Sequence, residues 1–172
     1  GIFICDHMPT TFLYQPAKIP AFDRLLKNAR SRNGISLAPT NRKGVAQLLR
    51  ALQRGELVGI LPDQVPSNEG GIHAPFFGEP AFTMTLISKL IMRRRVKEFC
   101  GFANRLPGAK GFKAIVEAAH RDIYDADLEI SVRGLNRTVE HSVGLAVTQY
   151  QWEYKRFRRR ADGEKFYQGA SD

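Results

Sequence analysis

No apolar stretch of this sequence approaches the ~20 residues that a membrane-spanning helix needs. No basic segment leads into an apolar core, so no secretory signal peptide is recognisable. Cysteine is scarce. Cys5 and Cys100 stand alone in apolar runs, without Cys-x-x-Cys or histidine spacing. That argues against a disulfide or a metal centre, and both thiols are expected to be buried. No Gly-x-Ser-x-Gly motif supplies a hydrolase nucleophile. Internal repeats, low-complexity blocks and interior linkers are absent. Negative charge is also short: 17 Asp and Glu against 26 Lys and Arg leave a net charge of +9. Such a surface favours phosphate-bearing partners: nucleic acid, an anionic membrane face or an acidic carrier protein. Charge alone does not choose among them.

What is present has an ordinary globular balance, 43% hydrophobic and 25% charged over 172 residues. That suffices for one domain with a real core, expected over residues 1–172 with a basic tail at 152–172. Read alone, residues 1–5 look like a strand, and residues 11–14 form a short strand ended by Pro16. Pro20 opens a helix with Phe22, Leu25, Leu26 and Ala29 on one face and Arg24, Lys27 and Arg30 on its polar face. A short strand is expected at 35–37. Thr40 is the expected cap of a helix lined by Val45, Leu48, Leu49 and Leu52 and stopped by Gly55.

The run Leu57, Val58, Gly59, Ile60, Leu61 reads as a strand buried on both faces and central in its sheet. A loop then runs to Pro75-Phe76-Phe77-Gly78. Phe82, Leu86, Ile87, Leu90 and Ile91 mark a third helix, ending in Arg93-Arg94-Arg95. Residues 98–104 and 112–116 read as strands joined at Pro107-Gly108, with a further strand at 128–132. A last helix is expected over 135–150. Alternating strands and helices predict an α/β fold, a mainly parallel mixed sheet flanked by helices.

Three stretches carry more than periodicity. They are Leu61-Pro62-Asp63-Gln64 followed by Gly70-Gly71-Ile72-His73-Ala74-Pro75-Phe76-Phe77-Gly78-Glu79-Pro80-Ala81, then Arg105-Leu106-Pro107-Gly108 with Gly111-Phe112, then Gln149-Tyr150-Gln151-Trp152 with Arg156-Phe157-Arg158. In this order they resemble the bacterial lipid A biosynthesis acyltransferases of the lysophospholipid acyltransferase superfamily. The resemblance covers nearly the whole chain. It implies an acyltransferase that moves a fatty acyl group from acyl carrier protein to a hydroxyl of an anionic lipid A precursor. It implies no cofactor and no metal beyond the donor thioester. It also implies work at the cytoplasmic face of the bacterial inner membrane.

That chemistry needs a general base, and the family supplies a histidine followed five residues later by an acid. The resemblance places this pair just upstream of Gly1 and residues 1–5 at the end of its helix. The chain is therefore expected to be a C-terminal portion, truncated at the N-terminus, lacking that base and the family's membrane anchor. One literal match exists, His120 with Asp125, but it lies downstream of the central stretch. With 4 histidines and 17 acidic residues in 172, about 0.4 such matches arise by chance.

Several residues carry over by position. Arg30 matches the arginine after the family's substrate-binding tyrosine segment, where a guanidinium can grip phosphate or stabilise an oxyanion. Arg32 is its close rival, and a solvated helix-end cation is the plain alternative. Asp63, with Gln64, matches the acidic residue of the third block, which in the superfamily helps hold the acceptor; otherwise it is a turn-forming Asp. His73, Phe76, Phe77 and Gly78 are the remaining candidate substrate contacts, His73 as a loop residue and the two rings as either acyl contacts or core. Gln15 departs from the family, whose members often carry a cation there, and Lys18 is the candidate substitute. Thr148 stands where a proline is common.

Two other classes compete. The tail Trp152–Arg160 mixes aromatic and basic residues as single-stranded nucleic-acid sites do, so a basic nucleic-acid-binding module is the alternative. The rest of the chain has no nucleic-acid motif, and no nucleic acid is expected as a partner. The same tail residues could also rest at a membrane interface or form a solvated face. A hydrolase using Asp63 and His73 ranks last.

Overall fold

The computed structural model describes residues 7–31, 34–67, 69–163 and 166–167. The segment 1–5 and Arg32 lie outside the described residues, so the expectations placed on them are not addressed. The chain divides into two compact units, residues 1–61 and 62–172.

The first unit is a βαβαβ run. Strand β1 (Thr10–Tyr14) pairs in parallel with β2 (Ile35–Pro39), Thr10 opposite Ile35, and with β3 (Leu57–Gly59), Thr10 opposite Leu57. Helix α1 (Pro20–Arg30) links β1 to β2, and α2 (Arg42–Gln53) links β2 to β3. The expected central strand is thus an edge: the order is β2-β1-β3, and all three β3 residues are half-buried rather than enclosed. The centre falls to β1, whose Thr10, Thr11 and Tyr14 are buried. An apolar run reports affinity for a sheet but not position within it. The cap of α2 is Asn41, whose Oδ1 accepts the Gly44 N–H at 3.0 Å; Thr40 instead donates its hydroxyl to Gln15. Leu48 and Ala51 bury the inner face of α2. The apolar stripe of α1 does form, but no residue of that helix is buried.

The second unit is built on two antiparallel hairpins and one long helix. What reads as a loop before Gly78 is the first hairpin, β4 (Gly71–Phe76) with β5 (Glu79–Met84). Phe76 pairs with Glu79, leaving a two-residue turn at Phe77-Gly78 with φ of 50° and 84°. Two left-handed residues match the twist of the flanking strands, which is why glycine holds the second place. Phe82 therefore belongs to a strand, and α3 begins after it (Leu86–Arg94). The second hairpin is β6 (Phe99–Arg105) with β7 (Phe112–Ala118). Helix α4 (Leu128–Gly144) follows a short 3-10 turn. It absorbs the strand expected at 128–132, because Asp127 caps it, accepting the N–H groups of Glu129 at 2.8 Å and Ile130 at 3.1 Å. Val132, Leu135, Val139 and Val143 then fall on one buried face. The helix stops at Gly144, and 147–149 is a 3-10 turn.

The α/β class holds, with a small parallel sheet flanked by helices. Parallel pairing is confined to β1–β3, and the other two sheets are antiparallel. Among the described residues no helix is long and apolar enough to cross a membrane.

Gly134 sits where α4 meets the turn before it. A Cβ there would lie 2.4 Å from the Ile123 nitrogen and 2.6 Å from the Asp122 carbonyl carbon. Backbone cannot yield as a side chain does, so Gly134→Ala is expected to cost about 1–3 kcal/mol. Gly144 on the same helix has nothing within 4 Å of its Cβ position. Gly144→Ala should leave the melting temperature unchanged or raise it. Equal melting temperatures for the two variants would refute the close packing.

Candidate functional site

The candidate residues separate by unit. Arg30 lies in the first, at the last turn of α1, and is exposed. Asp63, Gln64, His73, Phe76, Phe77 and Gly78 lie in the second.

Within the second unit the C-terminal segment folds back along the 62–66 loop and the β4–β5 hairpin. The Tyr150 phenol lies near enough to the half-buried Asp63 carboxylate to feel its charge. The Val65 N–H donates to the Tyr154 hydroxyl at 2.8 Å, and Arg159 Nη1 donates to the Pro66 carbonyl at 3.4 Å. Burial first, then the charge of Asp63, pushes the Tyr150 hydroxyl up to about 12, so it remains a donor at neutral pH. Gln64 is exposed.

Beneath this loop lies Arg156, only 3% exposed. Its Nη1 donates to the Phe82 carbonyl and its Nη2 to Thr83 Oγ1, both at 2.8 Å, and the guanidinium sits 5.2 Å from the Phe76 ring centre. Burial lowers its pKa, while Tyr150, Asp63 and Tyr154 oppose the shift. Thr83 passes the network on: it accepts from Asn136 Nδ2 at 3.0 Å and donates to the Ala81 carbonyl at 3.0 Å. Asn136, itself 2% exposed, also donates to the Pro75 carbonyl at 2.8 Å. Arg156 is thus no part of a solvated face.

The two phenylalanines have different fates. Phe76 is core, 1% exposed, packed with Ala81, Val139 and Val143 and flanked by Tyr150 and Phe157. Phe77 is 48% exposed at the turn, and its N–H donates to Glu140 Oε1 at 2.6 Å. Its ring centre lies 5.9 Å from that of Trp152, which stands 4.9 Å from Tyr150. An aromatic row therefore leads from the turn to the partner of Asp63. His73 lies on β4, not in a loop. Its ring is exposed, with Nε2 3.2 Å from the Arg159 carbonyl and its centre 5.0 Å from Phe82. The tail's other cations also rest on this chain's own rings, Arg159 over Phe82 at 4.8 Å and Arg158 over Tyr154 at 5.6 Å.

The literal histidine match has another geometry. His120 Nδ1 accepts the Asp122 N–H at 3.3 Å, which leaves the ring proton of the neutral imidazole on Nε2. The acid beside it is Asp122, at 3.6 Å and already held by Arg137 at 2.6 Å. Asp125 instead accepts the Asp127 N–H at 2.8 Å. An orienting acid must receive the Nδ1 proton of its histidine, and His120 has none there to give. Beside it a cavity of about 220 Å³ is lined by Cys100, Glu117, Thr138, His141 and Ser142 among others. His141 Nε2 lies 3.0 Å from Glu117 Oε2. Cys100 is half-buried, and burial raises its thiol pKa. Among the described residues no group of three or more His, Cys, Asp or Glu could hold a metal ion.

The sequence reading missed that Tyr150 and Arg156 converge on the Asp63 loop. Both stand in the quoted C-terminal motif, but nothing along the chain says what that motif packs against.

These features define an α/β protein. The family model described as "Bacterial lipid A biosynthesis acyltransferase" matches residues 2–159, and the chain belongs to that family. It is similar to the lipid A biosynthesis lauroyltransferase of Escherichia coli (strain K12), 26% identical over 156 residues, covering 90% of this chain and 50% of that protein. A lipid A biosynthesis acyltransferase of Haemophilus influenzae is 28% identical over 165 residues, covering 93% and 49%. The lipid A biosynthesis palmitoleoyltransferase of E. coli (strain K12) is 24% identical over 162 residues, covering 94% and 51%. The chain spans about half the length of the curated relatives it matches.

Two expected outcomes test this geometry. Arg156→Ala removes donors from two buried acceptors and should cost roughly 2–4 kcal/mol. Arg156→Lys should recover little, because one ammonium does not span both acceptors as the fork does. Wild-type stability in both variants, measured by urea unfolding, would contradict the network. The second outcome concerns Glu98, whose carboxyl burial pushes from 4.5 up to about 7. The folded state then holds this proton more tightly than the unfolded chain. The stability it contributes is full below about pH 4.5 and lost as pH rises through about 7. Glu98→Gln should therefore flatten the fall in stability across that window and add roughly 1–3 kcal/mol above it. An unchanged pH profile would count against the shift.

Proposed function

We propose that this chain serves the transfer of a fatty acyl group from acyl carrier protein to a hydroxyl of a lipid A precursor. The work takes place at the cytoplasmic face of the bacterial inner membrane. The observation that carries the reading is a convergence. Segments 61–64 and 149–158, distant in sequence and both part of the family pattern, meet around Asp63, Tyr150 and Arg156. In this reading Asp63 and Gln64 help hold the acceptor, with the exposed His73, Phe77 and Gly78 as further contacts, while Phe76 serves as core. Arg30 binds phosphate or stabilises the oxyanion of acyl transfer. The donor is a thioester and no cofactor is needed. The anionic acceptor suits the net charge of +9.

The general base is assigned to a His-x-x-x-x-Asp/Glu pair outside these residues, because His120 lacks the orienting acid. This chain alone should transfer at most slowly, since losing general-base help costs about 10²–10⁴-fold.

The test is acyl transfer from labelled acyl carrier protein to a phosphorylated lipid A precursor, in the protein expressed from its complete reading frame. Arg30→Ala is expected to lower the rate by about 10²-fold or more, with Asp63→Asn raising KM for the acceptor. His120→Ala should leave the rate nearly unchanged. No transfer from any acyl carrier protein, or a folded but inactive His120→Ala protein, would overturn the assignment.

A further inference from the structure

The β6–β7 hairpin has two unlike faces. Its inner face is fastened within the second unit. Glu117 meets His141, and Gln149 bridges Asn104 and the Arg105 backbone. The alternate residues form the outer face, where every position is exposed. Phe99, Phe112 and Val116 project from it, 57%, 66% and 53% exposed, with only glycine, alanine and the terminal Arg105 around them. Large exposed apolar groups on a fastened hairpin mark an interaction surface.

The rim of this face is strongly basic. Arg93, Arg94, Arg95 and Lys97 run into β6 and are all exposed. Arg105 and Lys110 stand at the turn end, exposed as well. No carboxylate stands on the outer face. The two acids of residues 92–118, Glu98 and Glu117, are half-buried. We propose that this face rests on the anionic surface of a lipid bilayer, the aromatic rings entering the acyl boundary while the rim cations meet the headgroup phosphates. A second copy of the chain fits poorly, because a symmetric pairing would set the two basic rims against each other. The inference deepens the reading above by naming the surface that meets the membrane, and it rests on that reading only for the membrane as partner.

The experiment is flotation of the 172-residue chain with phosphatidylcholine vesicles, with and without phosphatidylglycerol. Binding is expected only to the anionic vesicles, weakening as salt screens it. Phe99→Ser with Phe112→Ser should lower partitioning about tenfold or more. Lys97→Glu with Lys110→Glu should lower it at low salt and blunt the salt dependence, which keeps the test open if the serine variant unfolds. Phe22→Ser with Leu25→Ser, on the exposed stripe of α1, should leave binding unchanged. The proposal fails if neither hairpin variant changes flotation or if the α1 variant abolishes it. It fails equally if the chain ignores anionic vesicles, and binds an oligonucleotide or itself through this face instead. Flotation needs no turnover, so a failed transfer assay and a failed surface remain distinct results.

Discussion

The second unit depends on a cation placed where water does not reach. Arg156 has no carboxylate in hydrogen-bond contact. It is held by a backbone carbonyl, a threonine hydroxyl and the face of a phenylalanine ring. A buried charge is tolerable only when its donors are used and negative potential lies near. Two of its nitrogens are paired, while Nε has no hydrogen-bond partner. Asp63 supplies negative charge nearby. The arginine thereby ties three pieces of chain together: the C-terminal segment, strand β5 and the loop carrying Asp63.

That arrangement constrains what Asp63 can be. Its carboxylate is not a free turn cap, since it faces the phenol of Tyr150 in the field of a buried guanidinium. A substrate hydroxyl or ammonium reaching Asp63 would meet a carboxylate already oriented. Preorganisation of this kind spares the site some of the ordering cost of binding. The aromatic row from Phe77 through Trp152 to Tyr150 offers an apolar wall beside the polar group. A polar headgroup joined to an acyl chain calls for that pairing.

The same economy explains the tail. Aromatic and basic residues in alternation suggest a surface that grips an external polyanion. Here Arg156, Arg158 and Arg159 are placed over Phe76, Tyr154 and Phe82 of the same chain. Another mixture of rings and cations lies on the outer face of β6–β7, where Arg105 sits 5.9 Å from the Phe112 ring centre. In sequence that stretch reads as two short strands and a turn that belongs to the family pattern.

By itself the sequence determined the class of element at most positions and the family. Periodicity placed α1, α2, the strands of β6–β7 and the body of α4, because a buried face must recur at the spacing of its element. The motifs around Asp63, Pro107 and Trp152 identified the family. Tertiary structure decided the rest. Leu57–Gly59 became an edge because pairing order depends on which strands are adjacent in space, a fact no local pattern encodes. The segment before Gly78 became a hairpin because its Gly and Pro residues, read as loop signals, serve a close strand pair and a type I′ turn. Residues 128–132 joined a helix because Asp127 caps it and the continuing face has a core to meet. Arg156 was read within a tail surface, whether membrane interface, nucleic-acid site or solvated face, and proved to be interior. Charge is written in the sequence, but burial follows from which surfaces the folded chain brings together.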